Sequence, residues 1–308
     1  VDRILIIGVN KLPLVIDGIG WEEHTLSSSN SWNSICWSQE LHRFCTVTEG
    51  NNKAATSSDG ITWIEGTLPS NVRWKSICWA PELRLFCIVA YESSNAAISS
   101  DGITWTQTTL PSSESWYDVC WSPELQLFCA VVTDNRTNKA ATSPDGITWT
   151  IRSLPSNGNW QSICWSPELH LFCTITYNNN KVATSPDGIM WTERTLPSKD
   201  NWWDICWAPE LNLFCAITYN SNKVITSSNG ITWTERTLPS KAYWQNICWS
   251  PEFQLFCVGS NDARIAISQD GITWTQRNYK KWNSICWSSD LRRFCAVNSK
   301  QALLGIPE

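Results

Sequence analysis

Fourteen cysteines fall as pairs nine residues apart: Cys36 and Cys45, Cys78 and Cys87, Cys120 and Cys129, Cys164 and Cys173, Cys206 and Cys215, Cys248 and Cys257, Cys286 and Cys295. A turn between the members of a pair sets them directly opposite on adjacent strands, with Cα atoms ~4.5–5.5 Å apart, the tight side of the disulfide range. The pairs therefore read as buried thiols acting as small apolar side chains, with cross-strand disulfides as the alternative. Zinc needs about four converging ligands, and each cysteine pair belongs to its own unit, so no metal site and no cofactor is expected. The three histidines, His24, His42 and His170, read as solvated residues at unrelated places, and no catalytic residue is assigned. Glu193-Arg194 and Glu235-Arg236 recur on outer strands, where repetition points to solvated rims rather than a glycosidase centre. Among the 22 tryptophans, one set closes each incoming loop: Trp32, Trp74, Trp116, Trp160, Trp202, Trp244 and Trp282. Partly exposed, these would be aromatic platforms. The ligand-binding candidates are Trp116, Trp160, Trp202, Trp203, Trp244, Tyr243 and Arg136, the doublet Trp202-Trp203 foremost.

The elements that must position these residues repeat. The Ile-Cys-Trp core recurs at Cys36, Cys78, Cys120, Cys164, Cys206, Cys248 and Cys286, with Val for Ile before Cys120, at spacings of 42, 42, 44, 42, 42 and 38. Between them lies Ser-x-Asp-Gly-Ile-Thr-Trp or a close variant, ending at Trp63, Trp105, Trp149, Trp191, Trp233 and Trp274, with another copy at Asp17-Gly-Ile-Gly-Trp21. Each unit reads as four strands: Trp-x-x-Ile-Cys-Trp, Leu-Phe-Cys-x-Ile, Lys-Val-Ala-Thr-Ser and Ile-Thr-Trp-Thr-x-Arg. Ser-Pro-Glu-Leu supplies the first turn, and Asp-Gly a hairpin of type I′. Asn229-Gly230 keeps the turn without the charge, which assigns the position to the turn. The first two strands are apolar on successive residues, as in Leu213 to Ile217, so both faces are covered. Covered four-stranded sheets repeated at this spacing predict an all-β, seven-bladed β-propeller. Residues 1–308 form one domain in this reading, with segments 1–23 and 282–308 completing one blade. Lys11 to Glu23 would supply its third and fourth strands beside Phe294 to Val297, leaving Arg3 to Gly8 or Gln301 to Ile306 as a surplus strand.

At Ser-Pro-Asp-Gly-Ile-Thr-Trp the chain resembles the Asp-box, or BNR-type, repeats of β-propellers, although one residue between Asp and Gly is missing. With Trp-Ser-Pro-Glu-Leu-x-Leu-Phe, the unit is similar to propeller repeats in uncharacterised proteins of bacteria, phages and large DNA viruses. The resemblance covers nearly the whole chain. It implies the fold, while function belongs to sites and ranges across sialidases, lectins and sorting-receptor ectodomains.

Net charge is −5 with 23 Lys and Arg scattered along the chain, which argues against nucleic acid as a partner. Apolar runs are too short to insert into a membrane and no secretory signal is visible, so a cytoplasmic or virion-associated location is expected. The turns Ser-Pro-Glu-Leu and Ser-x-Asp-Gly share one face. The other face carries the unlike segments, residues 71–73, 113–115, 157–159, 199–201, 241–243 and 133–137. Unlike loops on a rigid scaffold are where a distinct partner is read. The expected function is a non-enzymatic protein-interaction scaffold, with a multivalent lectin as the alternative and an Asp-box glycosidase third.

Overall fold

The computed structural model describes residues 18–26, 28 and 30–307. The fold is all-β, with one short 3₁₀ turn among the described residues, at Pro209–Leu211. After β1 (Ile19–Thr25) come β2 (Trp32–Ser38), β3 (Arg43–Ser57), β4 (Ile64–Ala80), β5 (Leu85–Tyr91), β6 (Ser93–Ser99), β7 (Thr106–Glu114), β8 (Trp116–Ser122) and β9 (Leu127–Asp134). Next are β10 (Lys139–Ser143), β11 (Thr150–Ser153), β12 (Gly158–Ser166), β13 (Leu171–Tyr177), β14 (Asn179–Ser185), β15 (Thr192–Asp200), β16 (Trp202–Ala208) and β17 (Leu213–Ser227). The series ends with β18 (Thr234–Ser250), β19 (Leu255–Ser260), β20 (Arg264–Ser268), β21 (Thr275–Asn278), β22 (Ser284–Ser288), β23 (Arg293–Val297) and β24 (Gln301–Pro307).

The repeating unit is the antiparallel meander β12-β13-β14-β15. In β3 and β17 the second and third strands of a unit join through bends at Gly50 and Asn220, both at positive φ. β4 and β18 each run from the last strand of one unit into the first strand of the next. Every cysteine pair sits in register, Cys164 opposite Cys173 for example, and all fourteen are free thiols that burial holds above the ordinary thiol pKa.

The apolar core lies between units. One cluster joins Cys87, Val89 and Ile98 to Trp116, Val119, Trp121 and Phe128 of the following unit. Another joins Cys295, Val297 and Leu304 near the C-terminus to Trp32, Phe44 and Trp63. Neighbouring units are also bracketed by hydrogen bonds. The indole Nε1 atoms of Trp79, Trp121, Trp165, Trp207, Trp249 and Trp287 donate to Glu40, Glu82, Glu124, Glu168, Glu210 and Glu252 of the preceding unit at 2.5–2.7 Å. The glutamates of the Pro-Glu-Leu turns are thereby committed to the scaffold. Trp37 instead donates to Gln39, which reaches Asp290, whose side chain is one methylene shorter.

Two turn expectations change. In Asp-Gly only the glycine takes positive φ, +69° to +75°, so the turn is not type I′. Asp145 keeps negative φ and its Oδ1 accepts from the N–H groups of Ile147 and Thr148 and from Ser143 Oγ. Burial opposes the charge, but these donors outweigh it and hold the Asp145 carboxyl below the usual range. Asn229 makes the same pair of backbone contacts at 2.9 Å. Asp145→Asn is therefore expected to leave the melting temperature nearly unchanged. Asp145→Ala, which strands both N–H groups, should cost about 1–2 kcal/mol in denaturant titration, as loss of a cap does. The second change concerns histidine. His42 and His170 share one place, the left-handed residue that ends the first turn of each unit, also filled by Arg84, Gln126, Asn212, Gln254 and Arg292. Both are exposed, as a turn tip requires.

The unit shared by the chain ends also differs from expectation. β24 pairs with β23, Ala302 opposite Val297 and Gly305 opposite Phe294, and β1 then pairs with β24 along all seven of its residues. The third strand is thus C-terminal, and β1 does not pair with Phe294 to Val297. Asn298 makes this hairpin possible, its Oδ1 accepting from the N–H groups of Lys300 and Gln301. Lys11 to Asp17 and Arg3 to Gly8 lie outside the described residues.

Candidate functional site

In six units a buried tryptophan on the inner strand is followed by a β-bulge, as between Trp202 and Asp204 opposite β17, while in the last unit β22 starts only at Ser284, after Trp282. A bulge places two consecutive residues against one partner residue and turns both toward the same side. Both residues after the tryptophan consequently line one central cavity of about 580 Å³. The first of each pair forms an upper ring: Asn33, Lys75, Tyr117, Gln161, Trp203, Gln245 and Asn283. The second forms a lower ring: Ser34, Ser76, Asp118, Ser162, Asp204, Asn246 and Ser284.

Five lower-ring side chains tie their inner strand to the next by accepting its backbone N–H. Ser34 accepts from Ile77, Ser76 from Val119, Asp118 from Ile163, Asp204 from Ile247, and Ser284 from Ile35. Two of these are carboxylates, joined through one hydroxyl. Ser162 Oγ lies 2.9 Å from Asp118 Oδ2 and 2.8 Å from Asp204 Oδ1. A hydroxyl has a single proton to donate, so satisfying both contacts places a proton on one carboxyl. Asp118 also accepts from Ser76 Oγ at 2.7 Å and from its neighbour Val119 at 2.9 Å, which favours its ionised form even though burial raises its pKa. Burial and then the charge of Asp118 raise Asp204 to about 7, opposed by the N–H groups of Ile247 and Ile205 and the Ser162 hydroxyl. Near neutral pH the pair can hold a proton, release it, or balance a cation.

The cavity rim is charged on one side and aromatic on the other. Glu49 accepts from Lys75 at 3.2 Å and Arg73 at 2.5 Å, and Arg73 also lies 3.5 Å from Glu92. From there a chain of ring contacts runs Tyr91, Tyr117, Trp203, Tyr219, Tyr243, with Tyr177 edge-on to Trp203. Trp203 and Tyr219 are stacked with centroids 4.7 Å apart. Five of the six tyrosines of the sequence belong to this arc.

The predicted platform is placed differently. Trp116, Trp160, Trp202 and Trp244 are 0 % exposed, and their indole N–H groups donate to the carbonyls of Ser112, Ser156, Ser198 and Ser240. They hold the incoming loop in the core, out of a ligand's reach. Trp203 faces the cavity, and Tyr243, 42 % exposed, ends the arc. Arg136 stands apart on its loop, paired with Asp134 at 2.7 Å. Sequence reading missed the carboxylates Asp118 and Asp204 and the upper-ring residues other than Trp203.

No protein-family model matches the sequence, and no curated protein matches it. Solved structures do. The chain is similar to a streptogramin B lyase structure (14% identity, covering 94% of this chain and 98% of the other, TM-score 0.83). Virginiamycin B lyase from Staphylococcus aureus aligns over 94% of this chain and 100% of its own at 12% identity and TM-score 0.84. YCF48 bound to a D1 peptide aligns over 96% and 98% at 17% identity and TM-score 0.72. The fold is that of a β-propeller. Identity this low carries the fold alone. The expected exclusion of catalysis is overturned, because two of these propellers are lyases and the architecture therefore leaves enzymatic activity open. That exclusion rested on peripheral Glu-Arg pairs and overlooked the carboxylates on the inner strands.

Proposed function

We propose that the chain is a single seven-bladed propeller that recognises a protein partner through the mouth of its central cavity. The blade count draws support from core clusters between successive units and between the last unit and the first, where Ile35 N–H also donates to Ser284. One observation carries the binding reading: the upper ring sets Lys75, Tyr117 and Trp203, each occurring once, among Asn and Gln, while the Ile-Cys-Trp that follows it repeats almost unchanged. Equivalent sugar pockets would have to recur with the repeat, whereas Lys75, Tyr117 and Trp203 each occur once in this lining, which favours one ligand per molecule. A partly exposed aromatic cluster beside charged groups is also the composition of protein-binding hot spots. YCF48, of the same fold, was solved with a peptide. In this reading the Asp-box-like turns serve the scaffold on the opposite face.

The test is affinity capture with the wild-type chain and with Trp203→Ala, followed by stoichiometry of the retained species. A stoichiometric protein partner held by the wild type and lost by at least tenfold from Trp203→Ala is expected. Equal retention by both, or saturation by several molecules of one glycan, would sink the proposal.

A further inference from the structure

The rim and floor of the cavity differ in charge balance, and this bears on the partner's chemistry. Two rings of the arc already carry a cation from the protein itself: Arg73 sits 4.4 Å from the centroid of Tyr91, and Lys75 sits 4.7 Å from that of Tyr117. Both cations are neutralised locally by Glu49 and Glu92. The next ring along the arc, Trp203, is the strongest cation-binding ring type, and among the described residues no cation covers it. The bulge sets Asp204 immediately below it, on the same cavity wall. With Asp118 nearby, the floor carries negative charge that no side-chain cation of the lining balances once Lys75 and Arg73 are spent on the rim glutamates.

We propose that the mouth takes a basic side chain of the partner, a lysine or arginine, seated against Trp203 with its charge directed to the Asp204 and Asp118 floor. This rests on the mouth being the recognition site. The arc's own Arg73 and Lys75 show the pairing geometry, and the partner's cation supplies the member missing at Trp203.

Binding should then depend on the charge of Asp204. The groups around it are Asp118 from β8, Ser162 and Cys164 from β12, Cys206 on its own strand, and Asn246 and Cys248 from β18, with Glu49, Lys75 and Tyr117 lining the same cavity above. The three thiols are held above their ordinary pKa and stay neutral near pH 7. Asp118, favoured as the ionised member of the pair, leaves Asp204 as the group that changes charge. Its carboxyl ionises as pH rises through about 7, so affinity for a cation should increase in the same direction. Ionisation goes from about one tenth to about nine tenths between one unit below and one unit above that pKa, about a tenfold rise in affinity.

The experiment selects a random peptide library on the full chain one pH unit above neutrality, with Trp203→Ala as counter-selection, and then measures the enriched peptides by calorimetry. Enriched peptides should share a lysine or arginine whose replacement by norleucine or glutamine weakens binding at least tenfold. Affinity should fall about tenfold one unit below neutrality, and this pH response should vanish in Asp204→Asn, which mimics the protonated side chain. Trp203-dependent peptides without a basic residue, or with affinity indifferent to pH and to Asp204→Asn, would overturn the cation assignment and leave the mouth as the binding site. A library yielding no Trp203-dependent peptide would overturn both.

Discussion

Deleting residues 18–26 should abolish the wild-type thermal transition, with a melting temperature lower by more than about 10 °C or a chain that aggregates where the wild type does not. Among the described residues β1 alone pairs with the outer edge of β24, whose Ala302, Leu303 and Leu304 are 0 % exposed. Its Trp21 packs on Trp282 with centroids 4.8 Å apart and on Tyr279 at 5.8 Å. Trp21 is half-buried, so its loss should cost less than the about 3–5 kcal/mol of truncating a fully buried Trp. A bared strand edge also offers unpaired N–H and C=O groups to another chain. The loss would propagate, since Leu304 packs with Trp32, Phe44 and Trp63 of the first unit and its side chain fills the space beside Gly60. A synthetic peptide of residues 18–26 added to the truncated chain should restore part of the transition. A truncated chain that melts as the wild type does would show that β1 contributes nothing to closing the last unit.

The sequence pattern made the fold legible wherever the same residues recur. Trp-x-x-Ile-Cys-Trp and Leu-Phe-Cys announce two adjacent strands, and the nine-residue cysteine spacing places Cys164 opposite Cys173 as observed. The third strand of the shared unit was ambiguous because Gln301-Ala-Leu-Leu-Gly305 lacks the Lys-Val-Ala-Thr-Ser signature and is followed by no Asp-Gly turn. Elsewhere that turn links third to fourth strand, whereas here β24 and β1 come from opposite ends of the chain and need no connection.

The site was less legible, for a geometric reason. Strand alternation sends the residue after an inward tryptophan to the opposite face. The bulge after Trp202 breaks that alternation, and nothing in Trp-Trp-Asp-Ile announces it. Attention therefore fell on the tryptophans, which are walls, and on the loops, of which Arg73 and Tyr243 do join the rim. The usable signal was substitution within a constant frame. Aligned on Ile-Cys-Trp, the units read Asn-Ser, Lys-Ser, Tyr-Asp, Gln-Ser, Trp-Asp, Gln-Asn and Asn-Ser at the two preceding places. Two aspartates, Asp118 on β8 and Asp204 on β16, at a place otherwise held by Ser and Asn are the anomaly that marks the cavity floor.

A single glycine tests how tightly the last two units fit. Position 259 corresponds to Val47, Val89, Val131, Ile175, Ile217 and Val297 in the other units, so repeat consensus would favour Gly259→Val. The opposite outcome is expected. A Cβ built on Gly259 would lie 1.6 Å from Trp282 Nε1 and 2.0 Å from Cε2, contacts that no side-chain adjustment at residue 259 can relieve. The cause lies in the connection, because the cysteine spacing here is 38 rather than 42 and the Leu-Pro-Ser segment that five other units carry is absent. Elsewhere the serine carbonyl of that segment receives the indole N–H, at 3.1 Å from Ser70 to Trp74 for instance. Trp282 has no such partner and lies over Gly259 instead. Valine would expel the indole and its packing on Trp21, costing about 3–5 kcal/mol, as truncation of a buried tryptophan does. At roughly 2–4 °C per kcal/mol for domains approaching this size, the melting temperature should drop by about 10 °C. Gly259→Val combined with Trp282→Leu should recover much of the loss, a coupling expected only of residues in direct contact. A Gly259→Val chain as stable as the wild type would mean that Trp282 does not occupy the space above residue 259.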